Sequence, residues 1–114
     1  MILVLFELDP AEGGREAYFD LAAALKPELE SVDGFISIER FESLAVPGRY
    51  LSLSAWRDEA AVRDCRNRAS HRKAQAAGRE GVIAAYRLRV AQVIRDYGLD
   101  NRTEAPADSR ALHG

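Results

Sequence analysis

The stretch SHRKAQAAGREG, residues 70–81, contains His71, one of two histidines in the chain. Its imidazole is suited to act as a general base near neutral pH or to ligate haem iron. Ser70 is a favourable N-cap residue, so the pattern predicts a short helix that begins at His71 and ends at Gly78 and Gly81. We expect His71 to be a catalytic residue that lines a cavity. The alternative is a surface or interface histidine bonded to backbone or to a carboxylate.

Five other side chains are candidates for contacting a small hydrophobic or aromatic ligand: Trp56, Tyr50, Cys65, Tyr86 and Arg89. Tyr50 and Trp56 share a polar and aromatic face of a predicted strand, and such a face usually looks onto water, a partner or a cavity. Arg89 belongs to a row of strand arginines that would stabilise an enolate or phenolate, or would instead pair with glutamates of neighbouring strands. Cys65 falls on the inward stripe of a predicted helix, which predicts a buried, unreactive thiol.

The residue types that usually bind metals and phosphates do not form a recognisable set. Two histidines and one cysteine, widely spaced, make no zinc pattern. The stretch AEGGRE, residues 11–16, lacks the spacing of a phosphate-binding loop. We therefore expect neither a metal nor another cofactor.

The overall composition is that of one globular domain: 114 residues, 47% hydrophobic and 30% charged, with a net charge of −2. Residues 1–48 contain ten acidic and three basic side chains, whereas residues 57–95 contain ten basic and four acidic ones. This asymmetry indicates either complementary solvated surfaces or an arginine-lined pocket for an anionic ligand. The acidic total, and the lack of stacking aromatics between the basic residues, argue against nucleic-acid binding.

The cellular location is predicted from what the sequence lacks. No apolar run approaches the roughly 20 residues of a membrane span. The opening MILVLFELDP has neither the basic start nor the cleavage site of a signal peptide. A single cysteine makes no disulfide framework within the chain. We expect a cytoplasmic protein that does not bind membranes.

Hydrophobic periodicity predicts the elements that position these residues. Strands are predicted over residues 2–8, 35–41, 49–56 and 85–98, and helices from Arg15 and after the N-cap residue Asp58. Pro27 is expected to kink the first helix or to end its regular part. The order β-α-β-β-α-β is the ferredoxin-like arrangement, an α+β fold with a four-stranded antiparallel sheet. We assign residues 1–98 to this domain.

The assembly and the C-terminal tail are predicted together. Several strands are apolar on both faces while the helices can cover only one side, which predicts a homodimer. We expect the dimer to bury the polar and aromatic sheet face that carries Tyr50 and Trp56. Residues 99–114 are polar, show no hydrophobic period and should not fold alone. We predict that this tail packs on the partner subunit.

Three stretches resemble the antibiotic biosynthesis monooxygenase family of the dimeric α/β-barrel superfamily: PGRYLSLSAWRDEAAV (47–62), RNRASHRKAQAAGREG (66–81) and YRLRVAQVIRDYG (86–98). The resemblance covers residues 1 to about 98. It implies a homodimer in which two four-stranded sheets face each other as a barrel. It also implies a ligand cavity between sheet and helices in each subunit. Many members of the family carry a tryptophan where this chain has Cys65.

The resemblance further implies a small cofactor-independent monooxygenase-like protein that acts on an aromatic, polyketide or quinone-like molecule. His71 or a neighbour would deprotonate the substrate, and the anion would react with oxygen while arginine and tyrosine donors hold the charge. The alternative is a non-catalytic or stress-related dimeric module that binds a small hydrophobic ligand. Cys65 in place of tryptophan favours the module, and the retained His71-Arg72 pair favours the enzyme. Haem binding or haem degradation is a third hypothesis.

Overall fold

A computed structural model describes residues 1–68, 72–73, 76 and 81–114. Its elements are β1 (Ile2–Pro10), α1 (Arg15–Glu30), β2 (Phe35–Glu42), β3 (Tyr50–Trp56), α2 (Glu59–Arg66), β4 (Ile83–Gln92) and α3 (Ala107–His113). The strands form one four-stranded antiparallel sheet in the order β2-β3-β1-β4. The predicted α+β class and the ferredoxin-like β-α-β-β-α-β order are confirmed.

The pleat of the sheet directs alternate side chains to opposite faces. One face carries the even-numbered residues of β1, β3 and β4, which the pairing register places side by side. Helices α1 and α2 pack on this face, where Tyr18 joins Leu8 and Tyr50 in one core cluster and Cys65 joins Trp56 in another. The core clusters place α1 and α2 on the even-numbered face, and the opposite face has an apolar centre of Leu3, Leu5, Leu51, Leu53 and Ala55.

This arrangement corrects the surface predicted for the dimer. Within a single chain Tyr50 is 6% exposed and Trp56 is 3% exposed, and Ser52 and Ser54 between them are equally buried. The polar and aromatic face of β3 therefore looks onto the helices and a cavity, so a partner has no access to it. The face left open is the apolar one, because two helices on the same side of a sheet leave its other side bare.

Helix α1 follows the predicted apolar stripe and buries Tyr18 and Ala22. The helix continues through Pro27 to Glu30, so the proline does not end it. A proline removes one intrahelical hydrogen bond. Pro27 lies near the end of the helix, so only three helical residues follow it, and the preceding turns remain packed on the sheet.

Helix α2 begins at the predicted cap. The side chain of Asp58 accepts a hydrogen bond from the backbone N–H of Ala61 at 2.9 Å. This bond, together with one from the guanidinium of Arg57, lowers the pKa of Asp58. Most of the second short helix predicted from His71 to Gly78 lies outside the described residues, and only Arg72, Lys73 and Ala76 of it are described.

Strand β4 ends at Gln92, before the predicted end at residue 98. It is an edge strand paired with β1, and the register places Gln92 opposite Ile2, where β1 begins. One more bond, from the N–H of Val93 to the carbonyl of Met1, closes the ladder. Strand structure stops there because the backbone groups that follow have no neighbouring strand to pair with.

The residues after Gly98 are more ordered than the sequence predicted. Arg102 donates hydrogen bonds to the carbonyls of Gly114 at 2.9 Å and Gly98 at 3.4 Å, and its guanidinium lies 5.2 Å from the ring centre of Tyr97. Ala105 is 6% exposed. A single arginine thus organises the tail around helix α3, through polar contacts that a search for hydrophobic periods does not detect.

Candidate functional site

A cavity of about 480 Å³ lies between the helix-facing side of the sheet and helices α1 and α2. This volume is typical of a site for a small molecule. Its described walls are mainly apolar: Val4, Phe6, Leu21, Ala22, Leu25, Leu29, Ile38, Val62, Ile83, Leu88 and Val90. The wall along β4 is exposed to solvent by about half, with Tyr86 at 59% and Leu88 at 52%. The cavity therefore suits an apolar molecule that enters beside β4.

The floor of the cavity is the polar and aromatic face of β3, formed by Ser52, Ser54 and Trp56. The indole Nε1 of Trp56 donates a hydrogen bond to the hydroxyl of Ser54 at 2.9 Å. The ring of Phe35 meets the Trp56 ring edge-on, with their centres 5.4 Å apart. These two contacts hold the indole in one orientation, so it presents a fixed aromatic surface to a ligand.

Arg40 on β2 is a cavity residue that was not among the candidates from the sequence. Its Nε atom is buried and has no hydrogen-bond partner. Within the described part of the chain, no carboxylate lies within ion-pair distance of its guanidinium. A buried donor left unpaired costs about 1–3 kcal/mol, and more for a charged group. The available signal was the alternation of Ile36, Ile38 and Arg40 in β2, which places an arginine on an otherwise apolar face.

Three of the predicted ligand-contacting residues, Trp56, Cys65 and Tyr86, line this cavity. They come from β3, α2 and β4, so the fold brings together side chains that are far apart in sequence. The predicted catalytic residue, His71, lies outside the described residues. It belongs to the connection between α2 and β4, whose described flanks at Arg66 and Ile83 both border the cavity.

The two other predicted residues lie elsewhere. Tyr50 is buried at the start of β3, where its hydroxyl accepts a hydrogen bond from Arg15 Nε at 2.6 Å and its ring meets Phe19 edge-on at 5.0 Å. Arg89 is paired with Leu5 in the sheet and lies on the face opposite the cavity. Its position follows from the one-residue alternation of β4, which turns Leu88 towards the helices and Arg89 away from them.

Cys65 is 6% exposed, which confirms the predicted burial. Burial raises the pKa of its thiol, and the nearby positive charge of Arg68 only partly opposes this effect. The neutral thiol is a poor nucleophile, because the thiolate is the reactive form. Cys65 therefore contributes a small, apolar patch to the cavity wall.

We expect Cys65 to react slowly with a water-soluble thiol reagent in the native protein. The rate should be at least about tenfold below that of the urea-unfolded chain, because both access and the thiolate fraction are reduced. A ligand in the cavity should slow labelling further. Native labelling as fast as that of the unfolded chain would contradict the buried position.

Two kinds of feature are absent from the described residues. They contain no group of three or more His, Cys, Asp or Glu side chains placed to hold a metal ion. Their helices are all too short or too polar to cross a membrane.

The fold and the cavity define a small ferredoxin-like protein with a mainly apolar site that is partly open to solvent. The family model for antibiotic biosynthesis monooxygenases matches residues 1–77, and the chain belongs to this family. A curated relative, the jasmonate monooxygenase ABM of Pyricularia oryzae, is 46% identical over 93 residues, which are 82% of this chain and 43% of that protein. The chain thus spans less than half the length of this relative.

Solved structures share the fold at low sequence identity. Rv0793 from Mycobacterium tuberculosis superposes with a TM-score of 0.76 at 18% identity, over 85% of this chain and 98% of that one. The crystal structure of an antibiotic biosynthesis monooxygenase superposes with a TM-score of 0.71 at 12% identity, over 82% of this chain and 99% of that one. At such identities the likeness concerns the arrangement of helices and strands.

Proposed function

We propose that this protein is a cofactor-independent monooxygenase that oxygenates a small aromatic, polyketide or quinone-like molecule in the cavity between sheet and helices. The observation that carries the proposal is the cavity of about 480 Å³, whose mainly apolar walls also carry a fixed indole, two serines and two arginines. Membership of the antibiotic biosynthesis monooxygenase family supports the reaction type. The name of the Pyricularia oryzae relative adds jasmonate to the substrates to be tried.

The reaction that suits this site needs no external reductant when the substrate has an activated methylene group. Such a substrate is oxidised as R₂CH₂ + O₂ → R₂C=O + H₂O, and its own carbon supplies all the electrons. In the proposal His71 removes the first proton, and Trp56 and Tyr86 hold the ring. The flanks of the His71 segment border the cavity, which supports this role. Tyr50 and Arg89 take no part, because both lie away from the lining.

Oxygen uptake with anthrone-type phenols, hydroquinones and jasmonate tests the proposal. A His71→Ala variant should lose at least about 100-fold in rate, the usual contribution of a general base. His113→Ala is the matched control, since it removes the other histidine, at the end of α3. It should retain the wild-type rate. If no substrate is oxygenated above the uncatalysed rate, the enzymatic proposal fails.

A second candidate function is non-catalytic binding of a small hydrophobic ligand. One observation favours it: the described cavity lining contains no aspartate, glutamate or histidine that could act as an acid or base. Ligand binding without oxygen uptake would select this function. An absorption titration with haemin, showing a shifted haem band, would instead select the haem hypothesis.

We also propose that the protein is a homodimer joined through the uncovered sheet face. The centre of this face is apolar, with Leu3, Leu5 and Leu53. Glu39 lies at its β2 side and Arg89 at its β4 side. A two-fold axis parallel to the strands would bring each acidic edge towards the basic edge of the partner, so in that arrangement the face is complementary to itself.

Sedimentation at micromolar concentration should therefore detect a dimer. A Leu53→Glu variant should raise the dissociation constant at least about 100-fold, because it buries an unpaired charge in the interface. Leu44→Glu is the control, as Leu44 is fully exposed in the connection between β2 and β3. A wild-type protein that sediments only as a monomer would contradict the dimer.

The tail after Gly98 is proposed to pack on the partner subunit. Its Leu99 and Leu112 are 91% and 80% exposed, and Ile94 just before it is 83% exposed. The radius of gyration is 16.6 Å, against about 13 Å for a compact chain of this length. These three large apolar side chains are therefore uncovered within a single chain.

Truncation after Gly98 should weaken the dimer at least about tenfold if these side chains pack on the partner. The double variant Leu99→Ser, Leu112→Ser should have the same effect while keeping the Arg102 contacts. A dimer constant that neither change alters would exclude the tail from the interface.

A further inference from the structure

Arg40 sits at one end of a row of side chains that crosses the floor of the cavity. In the sheet it is paired with Ser52, which is next to Phe6, which is next to Leu88. Neighbouring strands are about 4.8 Å apart, so this row is about 14 Å long. It has a cation at the β2 end and only apolar groups at the β4 end. The floor therefore matches an elongated molecule with one polar end.

Among the described residues, the charge at the polar end has no acidic side chain within ion-pair distance. The described lining contains two basic residues and no acidic one. Arg66 is exposed at the outer edge on α2, whereas the Nε of Arg40 is buried without a partner. Glu42 shares the helix-facing side of β2 with Arg40 but is exposed, at the strand end, near the backbone N–H of Gly48. A neutral ligand would leave the positive charge of Arg40 without a counter-charge in the described lining.

We propose that Arg40 is a specificity-determining residue that binds the carboxylate of an otherwise apolar acid. A guanidinium stays charged at all physiological pH values, and its planar fork matches the two oxygens of a carboxylate. The apolar walls strengthen this pairing because they exclude water. Arg40, whose Nε–H is buried without a partner, supplies a single positive charge that balances a monoanion, whereas a phosphate dianion would need a second cation beside it. The inference rests on the proposed cavity as the substrate site and names the class of substrate it takes.

Binding can be measured without turnover, through the fluorescence of Trp56. This is the only tryptophan in the chain and it lines the cavity. The probes are octanoate and octanamide, which have the same chain and nearly the same shape and differ in charge. The wild-type protein should bind octanoate at least about tenfold more tightly than octanamide, the usual value of a charged hydrogen bond.

The variants separate recognition from folding. Arg40→Met should remove the preference for octanoate while leaving octanamide affinity within about twofold, since apolar packing contributes equally to both probes. Arg40→Lys should retain part of the preference. Arg63→Met is the matched control: it removes one positive charge from α2 outside the cavity lining and should preserve the wild-type preference.

Thermal unfolding of the ligand-free Arg40→Met protein is a second measurement. A structural arginine would destabilise the protein when removed, whereas removal of a buried and unpaired donor should leave the melting temperature unchanged or raise it. A lower melting temperature together with an equal loss of affinity for octanoate and octanamide would overturn the proposal. Equal wild-type affinity for octanoate and octanamide would overturn it without any variant.

The outcome is also separable from that of the proposed enzymatic function. A preference for octanoate with no oxygen uptake from any substrate would support carboxylate recognition and reject catalysis. Oxygenation of methyl esters as fast as of the parent acids would support catalysis and reject the role of Arg40. Unchanged octanoate affinity in Arg40→Met together with slower turnover would assign the guanidinium to the reacting oxygen atom instead, and would overturn this proposal.

Discussion

Replacing Trp56 by alanine is expected to lower the free energy of unfolding by about 3–5 kcal/mol, the range for a large aromatic side chain removed from a core. Trp56 is 3% exposed and packs with Val32, Ala61 and Cys65 in a core cluster. The change also leaves the hydroxyl of Ser54 without its indole donor. The cavity would enlarge into this cluster and lose its fixed aromatic surface, so ligand affinity should fall as well.

Urea unfolding followed by far-UV circular dichroism measures this loss, at one fixed protein concentration because a dimer links stability to concentration. Trp56→Phe is the control that keeps a ring and removes only the bonded N–H. It should cost about 1–2 kcal/mol. A loss below about 1 kcal/mol for the alanine variant would show that Trp56 is not a core residue.

A Gly14→Ala change should destabilise the protein by about 1–3 kcal/mol through a steric clash. A Cβ atom at position 14 would lie 2.4 Å from the carbonyl oxygen of Val82 and 3.1 Å from that of Ala11. Neither oxygen can move freely, because the N–H of Ala11 donates to Val82 at 2.9 Å and the N–H of Gly14 donates to Ala11 at 2.7 Å. The start of α1 must therefore separate from the start of β4.

Gly98→Ala is the matched control for this prediction. A Cβ atom there meets nothing within 4 Å, and the backbone does not have the positive φ that disfavours alanine. It should change the free energy of unfolding by less than about 0.5 kcal/mol. Because Val82 precedes Ile83 of the cavity wall, Gly14→Ala should also weaken ligand binding. Equal stability of the two variants would contradict the close approach at Gly14.

Local patterns in the sequence were enough to predict most of the fold. Alternation over residues 2–8 and 49–56 predicted β1 and β3, and the wider period after Arg15 predicted α1. Asp58 was recognised as a helix cap because that signal depends only on the next three residues. The resemblance to the antibiotic biosynthesis monooxygenases, now confirmed, rested on local stretches of the same kind.

Properties that depend on two distant segments were not predictable in this way. Strand β4 ends at Gln92 because that residue pairs with Ile2, where β1 begins. The pairing register involves both strands, so the sequence of β4 alone does not reveal it. The tail is organised by Arg102, which joins Gly98 to Gly114 across the whole segment. A polar contact of this reach has no hydrophobic period to mark it.

The sequence by itself determined that β3 has one apolar and one polar, aromatic face, because side chains alternate along any strand. Only the tertiary structure decided which face the helices cover. The alternation along a strand marks two faces but does not indicate on which of them the connections β1-α1-β2 and β3-α2-β4 place their helices. That choice placed Trp56 in the cavity and Arg89 outside it. It also placed Arg40 in the cavity, where its unpaired Nε–H results from the absence of any acidic side chain in the described walls that close around it.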